Sequence, residues 1–385
     1  MTDCRVCGGE IAAPAYETPA PALTSIMTLV DHPTRIYICE GCGHAQSDDI
    51  PDIEAFYDTT YRISLNSEDH DQIFVVMPDG TVIYRTDRQA EISSELLHLS
   101  QGAKLLDYGA AKATTLRKVF AARPDIVPHV FDVSADYAPA WDGWIAPDAQ
   151  ATYKVPEIWT GHFDAVMSHF VIEHVVDPVG FIRGIHVLLR PGGALLLSMP
   201  NVLANPGDMV VADHVNHFSE ASLLHTLASG GFDVSVVDTT SFPGAFFVVA
   251  IRSEKTVKLK QIAALVRGAV ERASEICDFW RTISGILERQ AETLRGRKVA
   301  LYGAGFYGSW IFSRIGTRIE TTAFLDQNPN MQNTSHFGLP VIEPSALAED
   351  VDALFIGLNP LNAQAVIGNM PYLHKPQLKL VFLDT

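Results

Sequence analysis

The stretch 163–178, FDAVMSHFVIEHVVDP, constrains the fold of this chain more than any other. Residues 163–168 are a short apolar run after a turn at Thr160 and Gly161, the pattern of a strand buried in a parallel sheet. His169, Glu173 and His174 then arrive within six residues. Titratable side chains crowded at the carboxyl end of a buried strand lie where open α/β sheets take up ligands. Asp177-Pro178 opens a helix over 179–189, because proline suits the first helical position. Arg190-Pro191-Gly192-Gly193 ends that helix in a turn, and a second apolar run, 194–199, follows. Strand, charged loop, helix, turn and strand make a βαβ unit with its chemistry at the open edge.

A chain of 385 residues, 47% of them hydrophobic, has material for two or three domains. The formal net charge of -17 argues against a general nucleic-acid binder, which needs a basic face. A phosphorylated substrate must therefore be met by local Arg or Lys, against the global field. No apolar run approaches the length of a membrane span, and no basic-apolar leader is evident. The expectation is a soluble, cytoplasmic protein with neither a membrane nor a nucleic-acid partner; oligomeric state is not legible.

Near the amino end, CRVCGG and CEGCGH place Cys4, Cys7, Cys39 and Cys42 in two Cys-x-x-Cys pairs. Four thiolates in paired knuckles suit tetrahedral Zn2+, and the glycines that follow, Gly8 and Gly43, let the backbone turn at the sulfur. Two disulfides or a redox pair are the competing uses, and the lack of a secretory leader favours zinc. Four cysteines complete the shell without His44, so the metal is structural. Between the knuckles, 34–39 alternates like a strand. The polar stretch FYDTTYRISLNSEDHDQIF reads as a loop and short helix facing a cleft. Residues 73–77 and 81–84 flank Pro78-Asp79-Gly80 as a hairpin, and 87–99 has helical spacing.

The run 104–109, KLLDYG, ends in an acid and a small-residue turn before a helix at 114–122. It resembles the first strand and loop of class I S-adenosylmethionine (SAM) methyltransferases. In such a turn, backbone N–H groups and a helix N-terminus approach the carboxylate of the methionine moiety. That points to Asp107, Gly109, Ala111 and Lys112 on the cofactor, although the turn Gly109-Ala110-Ala111-Lys112-Ala113 is poor in glycine. A second strand, 129–131, ends at Asp132, an acid placed to accept ribose hydroxyls. The aromatic stretch 141–153 should hold the third strand and the adenine pocket, with Asp148 as its candidate. Ser168 and His169 close the cofactor side from the fourth strand. DHVNHF at 213–218 adds His214 and His217 before a helix that Ser219 caps. Runs 232–237 and 245–251 complete a set of seven strands, the last two antiparallel.

Residues 253–296 read as one long helix or two. KVALYGAGFYG at 298–308 then carries Gly303, Gly305 and Gly308 between strand and helix, with Asp326 ending the next strand at 323–325. This is the dinucleotide fingerprint, which many small Rossmann-like domains carry without a dinucleotide. Further strands are expected at 353–357 and 380–383.

The two cysteine knuckles, the central IEHV fold and the terminal GAGFYG unit, in that order, look like the sugar C-methyltransferases of deoxysugar biosynthesis. The resemblance implies an α/β chain: a zinc-binding domain (1–88), a class I methyltransferase domain (89–253), a helical linker (254–296) and a C-terminal Rossmann-like domain (297–385). It implies SAM as methyl donor, a nucleotide-linked keto-sugar as substrate, and methylation of the carbon beside the ketone. The family's Glu-His pair falls on Glu173 and His174, with His174 as proposed base, and its N-terminal tyrosine falls on Tyr57 or Tyr61. The sequence departs from the family pattern in its hairpin at 73–84, its glycine-poor SAM loop and its glycine-richer C-terminal loop.

Carbon methylation needs a base for the proton beside the carbonyl and a partner for the enolate oxygen. His174, oriented by Glu173, is the candidate base, with closure of the SAM pocket as its competing role. His214 or His217 would hold the enolate oxygen or the sugar, and Tyr57 or Tyr61 would cap the site. O-methylation of a sugar hydroxyl uses the same histidines and needs no ketone. NAD at Gly303, Gly305, Gly308 and Asp326 would instead make an oxidoreductase, ranked low because no Tyr-x-x-x-Lys pair stands nearby. A scaffold that has lost SAM binding is the non-enzymatic reading.

Overall fold

The computed structural model describes residues 1–385 except 62–71, 78, 256, 258–261, 317 and 384–385. Part of the expected loop after the tyrosines, and Pro78 of the hairpin turn, lie outside the described residues. The chain divides into two units. One comprises Met1–Ala13, Tyr37–Asp208 and His214–Ala273; the other comprises Pro14–Ile36, Met209–Asp213 and Ser274–Thr385.

The first unit is built on a seven-stranded sheet. Its strands are β1 (Lys104–Tyr108), β2 (Val127–Asp132), β3 (Gln150–Thr152), β4 (Phe163–His169), β5 (Leu189–Pro200), β6 (Phe232–Asp238) and β7 (Ala245–Arg252). They lie in the order β3-β2-β1-β4-β5-β7-β6. The first five run parallel, and β7 is antiparallel to both neighbours. All seven expected strands are present. The first of these strands in sequence, β1, lies near the middle of the sheet, so β1 and β4 form its switch point, and the crevice for a ligand opens beyond their carboxyl ends.

Burial on both faces explains why β4 reads as a continuous apolar run. Ala165 and Met167 join Leu105, Leu196 and Val249 on one face, beneath Ile92 of α1 (Arg85–Leu96) and Leu116 of α2 (Thr114–Ala122). Val166 joins Leu106, Leu195 and Leu197 on the other, beneath Ile182 and Ile185 of α3 (Pro178–Leu188) and Leu223 of α4 (Glu220–Ser229). The expected caps form: the Asp177 carboxylate accepts from the Gly180 N–H at 2.8 Å, and the Ser219 hydroxyl accepts from Ser222 N–H at 3.2 Å.

The Arg-Pro-Gly-Gly stretch is not a free turn. The chain already pairs with β4 at Leu189, opposite Phe163, bulges, and resumes at Ala194 opposite Ala165. Gly192 supplies the left-handed residue of the bulge at φ 73°, and Arg190 Nε clasps Asp164 at 2.8 Å. The hairpin forms from Ile73–Val76 and Val82–Tyr84 and runs directly into α1, whose Asp87 accepts from the Tyr84 N–H at 2.9 Å. One pairing had no signal in the sequence: Ala45–Ser47, just past the second cysteine pair, forms an antiparallel ladder with Asn216–His217.

In the second unit, β8 (Lys298–Tyr302), β9 (Glu320–Leu325), β10 (Ser335–His336), β11 (Leu339–Ile342), β12 (Ala353–Ile356) and β13 (Lys379–Val381) form a sheet in the order β10-β11-β9-β8-β12-β13. Only the β10–β11 pair is antiparallel. A Cβ on Gly308 would lie 1.8 Å from the Gly303 carbonyl oxygen, so this glycine is needed for the close approach of helix and turn. The stretch Pro14–Ile36 belongs to this unit, where Arg314 donates to Thr18 Oγ1 at 2.9 Å and to the Pro19 carbonyl at 2.7 Å. The helical spacing of 253–296 forms one helix, α5 (Ala263–Thr293). Among the described residues, no helix is long and apolar enough to cross a membrane.

Candidate active site and cysteine cluster

The loop after β1 is held from β2. The Phe131 carbonyl accepts from the N–H groups of Gly109 and Ala110 at 2.9 and 3.0 Å. The Asp132 carboxylate accepts from Ala111 N–H at 2.8 Å and from Ser134 N–H at 3.0 Å. Burial raises the pKa of Asp132, partly offset by these backbone donors. Gly109 sits at φ 83°, and a Cβ there would come within 2.5 Å of Val171 Cγ2. Ala111 and Ala113 adopt φ 45° and 55°, so alanines occupy left-handed positions that glycine would fill without strain. No described side chain caps α2 at Ala113, and its first-turn N–H groups face the sheet's carboxyl edge. Gly109→Ala combines a clash with a disfavoured φ; we expect it to cost about 1–3 kcal/mol, read as a lower thermal midpoint.

The other cofactor candidates take different places. Asp107 is buried inside β1, its carboxyl pushed up to about 8 by burial and then by the charge of Asp132. Ser168 Oγ donates to the Tyr108 carbonyl at 2.7 Å and ties β4 to β1. His169 lies between Ser198 Oγ at 2.8 Å and Ser93 Oγ at 3.2 Å, and burial pushes it down to about 4, leaving a neutral pin between elements. Lys112 is half-buried in the loop. Asp148 is exposed in the turn before β3, where its charge reaches His129 in the body of β2 rather than the carboxyl edge.

Beyond β4, Phe170 adopts φ 55° and the chain enters the turn Ile172–His174. Strain of this kind in a bulky residue gathers at functional loops. Glu173 is 1% exposed, and among the described residues no hydrogen-bond partner reaches its Oε2. Burial pushes its carboxyl up to about 8. His174 Nδ1 lies 2.8 Å from the Tyr57 hydroxyl and Nε2 lies 3.5 Å from that of Tyr61. The His214 ring meets His174 edge-on, with centroids 4.7 Å apart. Glu173, His174 and His214 each bring one N or O atom to within 4.8 Å of the others.

Asp208 completes the cluster. Its Oδ1 is 2.5 Å from His214 Nδ1 and its Oδ2 is 3.1 Å from His217 Nδ1. Burial alone would raise this carboxyl. The charge of His214 and hydrogen bonds from both histidines outweigh burial and hold it well below the usual carboxylate range. The structure thus brings Glu173, His174, His214, Tyr57 and Tyr61 together and sets the fully buried His217 behind Asp208. Sequence reasoning missed Asp208, which lies in an irregular stretch with no periodicity to mark it. It also missed Arg85, whose guanidinium stacks 4.6 Å from the Phe170 ring and whose charge reaches Glu173.

The four cysteines converge. Cys4 and Cys42 Sγ are 3.5 Å apart, as are Cys7 and Cys39 Sγ, and all four lie within 4.8 Å of one another. Tetrahedral zinc with Zn–S bonds of about 2.3 Å requires sulfurs roughly 3.8 Å apart. The two knuckles are alike: Gly8 N–H donates to the Cys4 carbonyl and Gly43 N–H to the Cys39 carbonyl, both at 2.8 Å, with each glycine at φ 71°. The donor set and spacing fit a structural zinc ion.

Residues 84–236 match the family described as a methyltransferase domain. Over 111 residues the chain is 30% identical to a ubiquinone biosynthesis O-methyltransferase of Xanthomonas campestris pv. campestris, covering 26% of this chain and 44% of that one. It is 42% identical over 50 residues to a protein of the same description from Ruegeria pomeroyi, covering 13% and 19%. The chain spans less than half the length of the curated relatives it matches. Among solved structures, an S-adenosylmethionine dependent methyltransferase from Mesorhizobium loti aligns with TM-score 0.36 at 15% identity, over 43% of this chain and 98% of that one. An O-methyltransferase family protein from Burkholderia thailandensis aligns with TM-score 0.37 at 17% identity, over 44% and 56%. The family match and the strand order together define a class I methyltransferase fold. The chain carries an S-adenosylmethionine-dependent methyltransferase domain.

Proposed function

We propose that the chain transfers the methyl group of SAM to a nucleotide-linked keto-sugar, at the carbon beside the ketone, through an enolate. The observation that carries this reading is the buried Asp208–His214 pair beside Glu173 and His174 at the carboxyl edge of β4. A carboxylate on Nδ1 fixes the tautomer of an imidazole and supports the positive charge it gains, the arrangement of a general base.

SAM, when bound, supplies an electrophilic methyl on a sulfonium. The open N-terminus of α2 and the loop 109–113 would receive its carboxylate, and Asp132 its ribose hydroxyls. With Nδ1–H on Asp208, His214 presents Nε2 as the proton acceptor. His174, read from the sequence as the base, has Nδ1 against Tyr57; the pair is better placed to orient the sugar. Glu173, neutral at pH 7 because of its burial, is a hydrogen-bond donor for the developing enolate oxygen, as buried carboxylic acids are in other enolising sites. Arg85 is the local cation that a diphosphate requires. Cys4, Cys7, Cys39 and Cys42 would hold zinc in a closed, structural shell. The sugar class rests on the order of knuckles, methyltransferase domain and Rossmann-like unit along the chain.

O-methylation is the second reading, favoured by the O-methyltransferase descriptions of the matched relatives. The same base would serve a hydroxyl. Methyl-labelled SAM, incubated in heavy water with a panel of nucleotide-linked keto-sugars and their reduced forms, separates the two. The expected product carries the methyl on carbon beside the ketone, with solvent exchange at that carbon. A methyl on oxygen, formed from the reduced sugars as well, would overturn the enolate route.

A further inference from the structure

We propose that Ser47, on the strand that follows the second cysteine pair, is a positioning residue for the base. It holds the His217 ring so that His217 and His214 share Asp208. The inference rests on the reading of His214 as base.

The hydrogen bonds leave one consistent arrangement. Ser47 Oγ lies 2.8 Å from His217 Nε2, His217 Nδ1 lies 3.1 Å from Asp208 Oδ2, and Asp208 Oδ1 lies 2.5 Å from His214 Nδ1. An ionised Asp208 only accepts, so both histidines must carry hydrogen on Nδ1. His217 is fully buried, and burial lowers its pKa, so the ring is neutral and its Nε2 is an acceptor. The Ser47 hydroxyl, itself buried, is therefore the donor to Nε2. Proton placement then runs from Ser47 to His217 to Asp208 and meets His214 at its Nδ1.

The backbone alone does not need a hydroxyl here. Ser47 N–H donates to the Val215 carbonyl at 3.1 Å, a bond any residue but proline makes, and the ladder pairs Gln46 with Asn216 and Ala45 with His217. The same segment grips the other half of the site. His44 Nε2 is 3.2 Å from Asn216 Oδ1, while Asn216 Nδ2 donates to the Ile172 and Val175 carbonyls, on either side of Glu173 and His174. The segment 44–47 thus touches the supports of both His214 and His174, and Ser47 is its one side chain in the chain of bonds to the base.

Other charges face these rings. Asp208, Glu173 and His174 surround His214; Asp208, His214, His44 and Arg5 act on His217. Removing the Ser47 hydroxyl frees the His217 ring to drift and weakens its bond to Asp208. More negative charge then remains on the carboxylate, and His214 holds its proton to higher pH.

Nitrogen-15 spectra of the histidine rings in the full-length, metal-replete protein test this without a substrate. In the wild type, His217 should report a neutral ring with hydrogen on Nδ1 and a hydrogen-bonded Nε2. In Ser47→Ala, the hydrogen-bond signature at Nε2 should vanish and the His214 titration should move up by about half a pH unit or more. Ser47→Thr should restore both, and SAM affinity should stay within about threefold in each variant. His217 signals and a His214 titration indifferent to Ser47→Ala would overturn the proposal. So would an alanine variant that loses SAM binding and is not rescued by threonine, since that is a merely structural role. Full turnover by His214→Ala would instead remove His214 as base, an outcome distinct from the ring spectra.

Discussion

Keeping zinc out of the four-cysteine cluster is expected to destabilise the first unit more than any single side-chain change outside the cluster. Four buried or half-buried thiols within 4.8 Å of one another have no apolar reason to converge, and as thiolates they repel. A zinc ion turns that repulsion into binding, and in small zinc modules the metal contributes on the order of 10 kcal/mol of folding free energy. Here the ladder Ala45–Ser47 with Asn216–His217, and Arg5 with its bonds to the Val215 carbonyl at 2.7 Å and to Asp49 at 2.6 Å, retain part of the segment. We therefore expect Cys42→Ser, or prolonged chelation, to lower the unfolding midpoint by roughly 10 °C or more. The purified chain should carry one equivalent of zinc, lost in the variant. A chain that purifies without zinc, and whose midpoint neither chelation nor Cys42→Ser lowers, would show that the thiols serve another purpose, and mass spectrometry of the alkylated protein would separate disulfides from free thiols.

Local pattern made the sheet legible. Buried parallel strands read as apolar runs, Asp177-Pro178 and Ser219 announced their helices, and the spacing of the paired knuckles announced that the four cysteines converge. Properties that depend on distant pairing did not show. Nothing around Ala45–Ser47 says that its partner lies at Asn216–His217, because a three-residue strand has no period to read. Asp208 was invisible for the same reason, since its meaning comes from His214 and His217 folding back onto it. The glycine-poor turn misled in the other direction: Ala111 and Ala113 adopt the left-handed backbone that the sequence would assign to glycine. Ser168 and His169 were read correctly as lying at the carboxyl end of β4. Their side chains are spent on Tyr108, Ser93 and Ser198, a choice that only tertiary contacts decide.

The second large effect is expected from Asp208→Asn. The amide is nearly isosteric, but it offers one acceptor and one donor where the carboxylate offers two acceptors. Facing Nδ1–H groups from both His214 and His217, it must set its NH2 against one of them, and that ring must turn over its tautomer. If the ring is His214, the lone pair moves to Nδ1, away from the substrate side, and the base is lost. Turnover should fall by about a hundred- to ten-thousand-fold, the range that a positioned base contributes. SAM affinity should change little, because the loop 109–113 and Asp132 are untouched. The sign of the pH effect follows from the charge. Asp208 is held low by the positive charge and hydrogen bonds of His214, so by reciprocity the carboxylate favours protonated His214. Removing it lowers the His214 pKa, and the acid limb of the residual activity should move to lower pH. The comparison with His174→Ala decides which histidine is the base. A dead Asp208→Asn beside a partly active His174→Ala places the proton on His214. A fully active Asp208→Asn beside a dead His174→Ala would return it to His174, with Tyr57 at 2.8 Å as its partner.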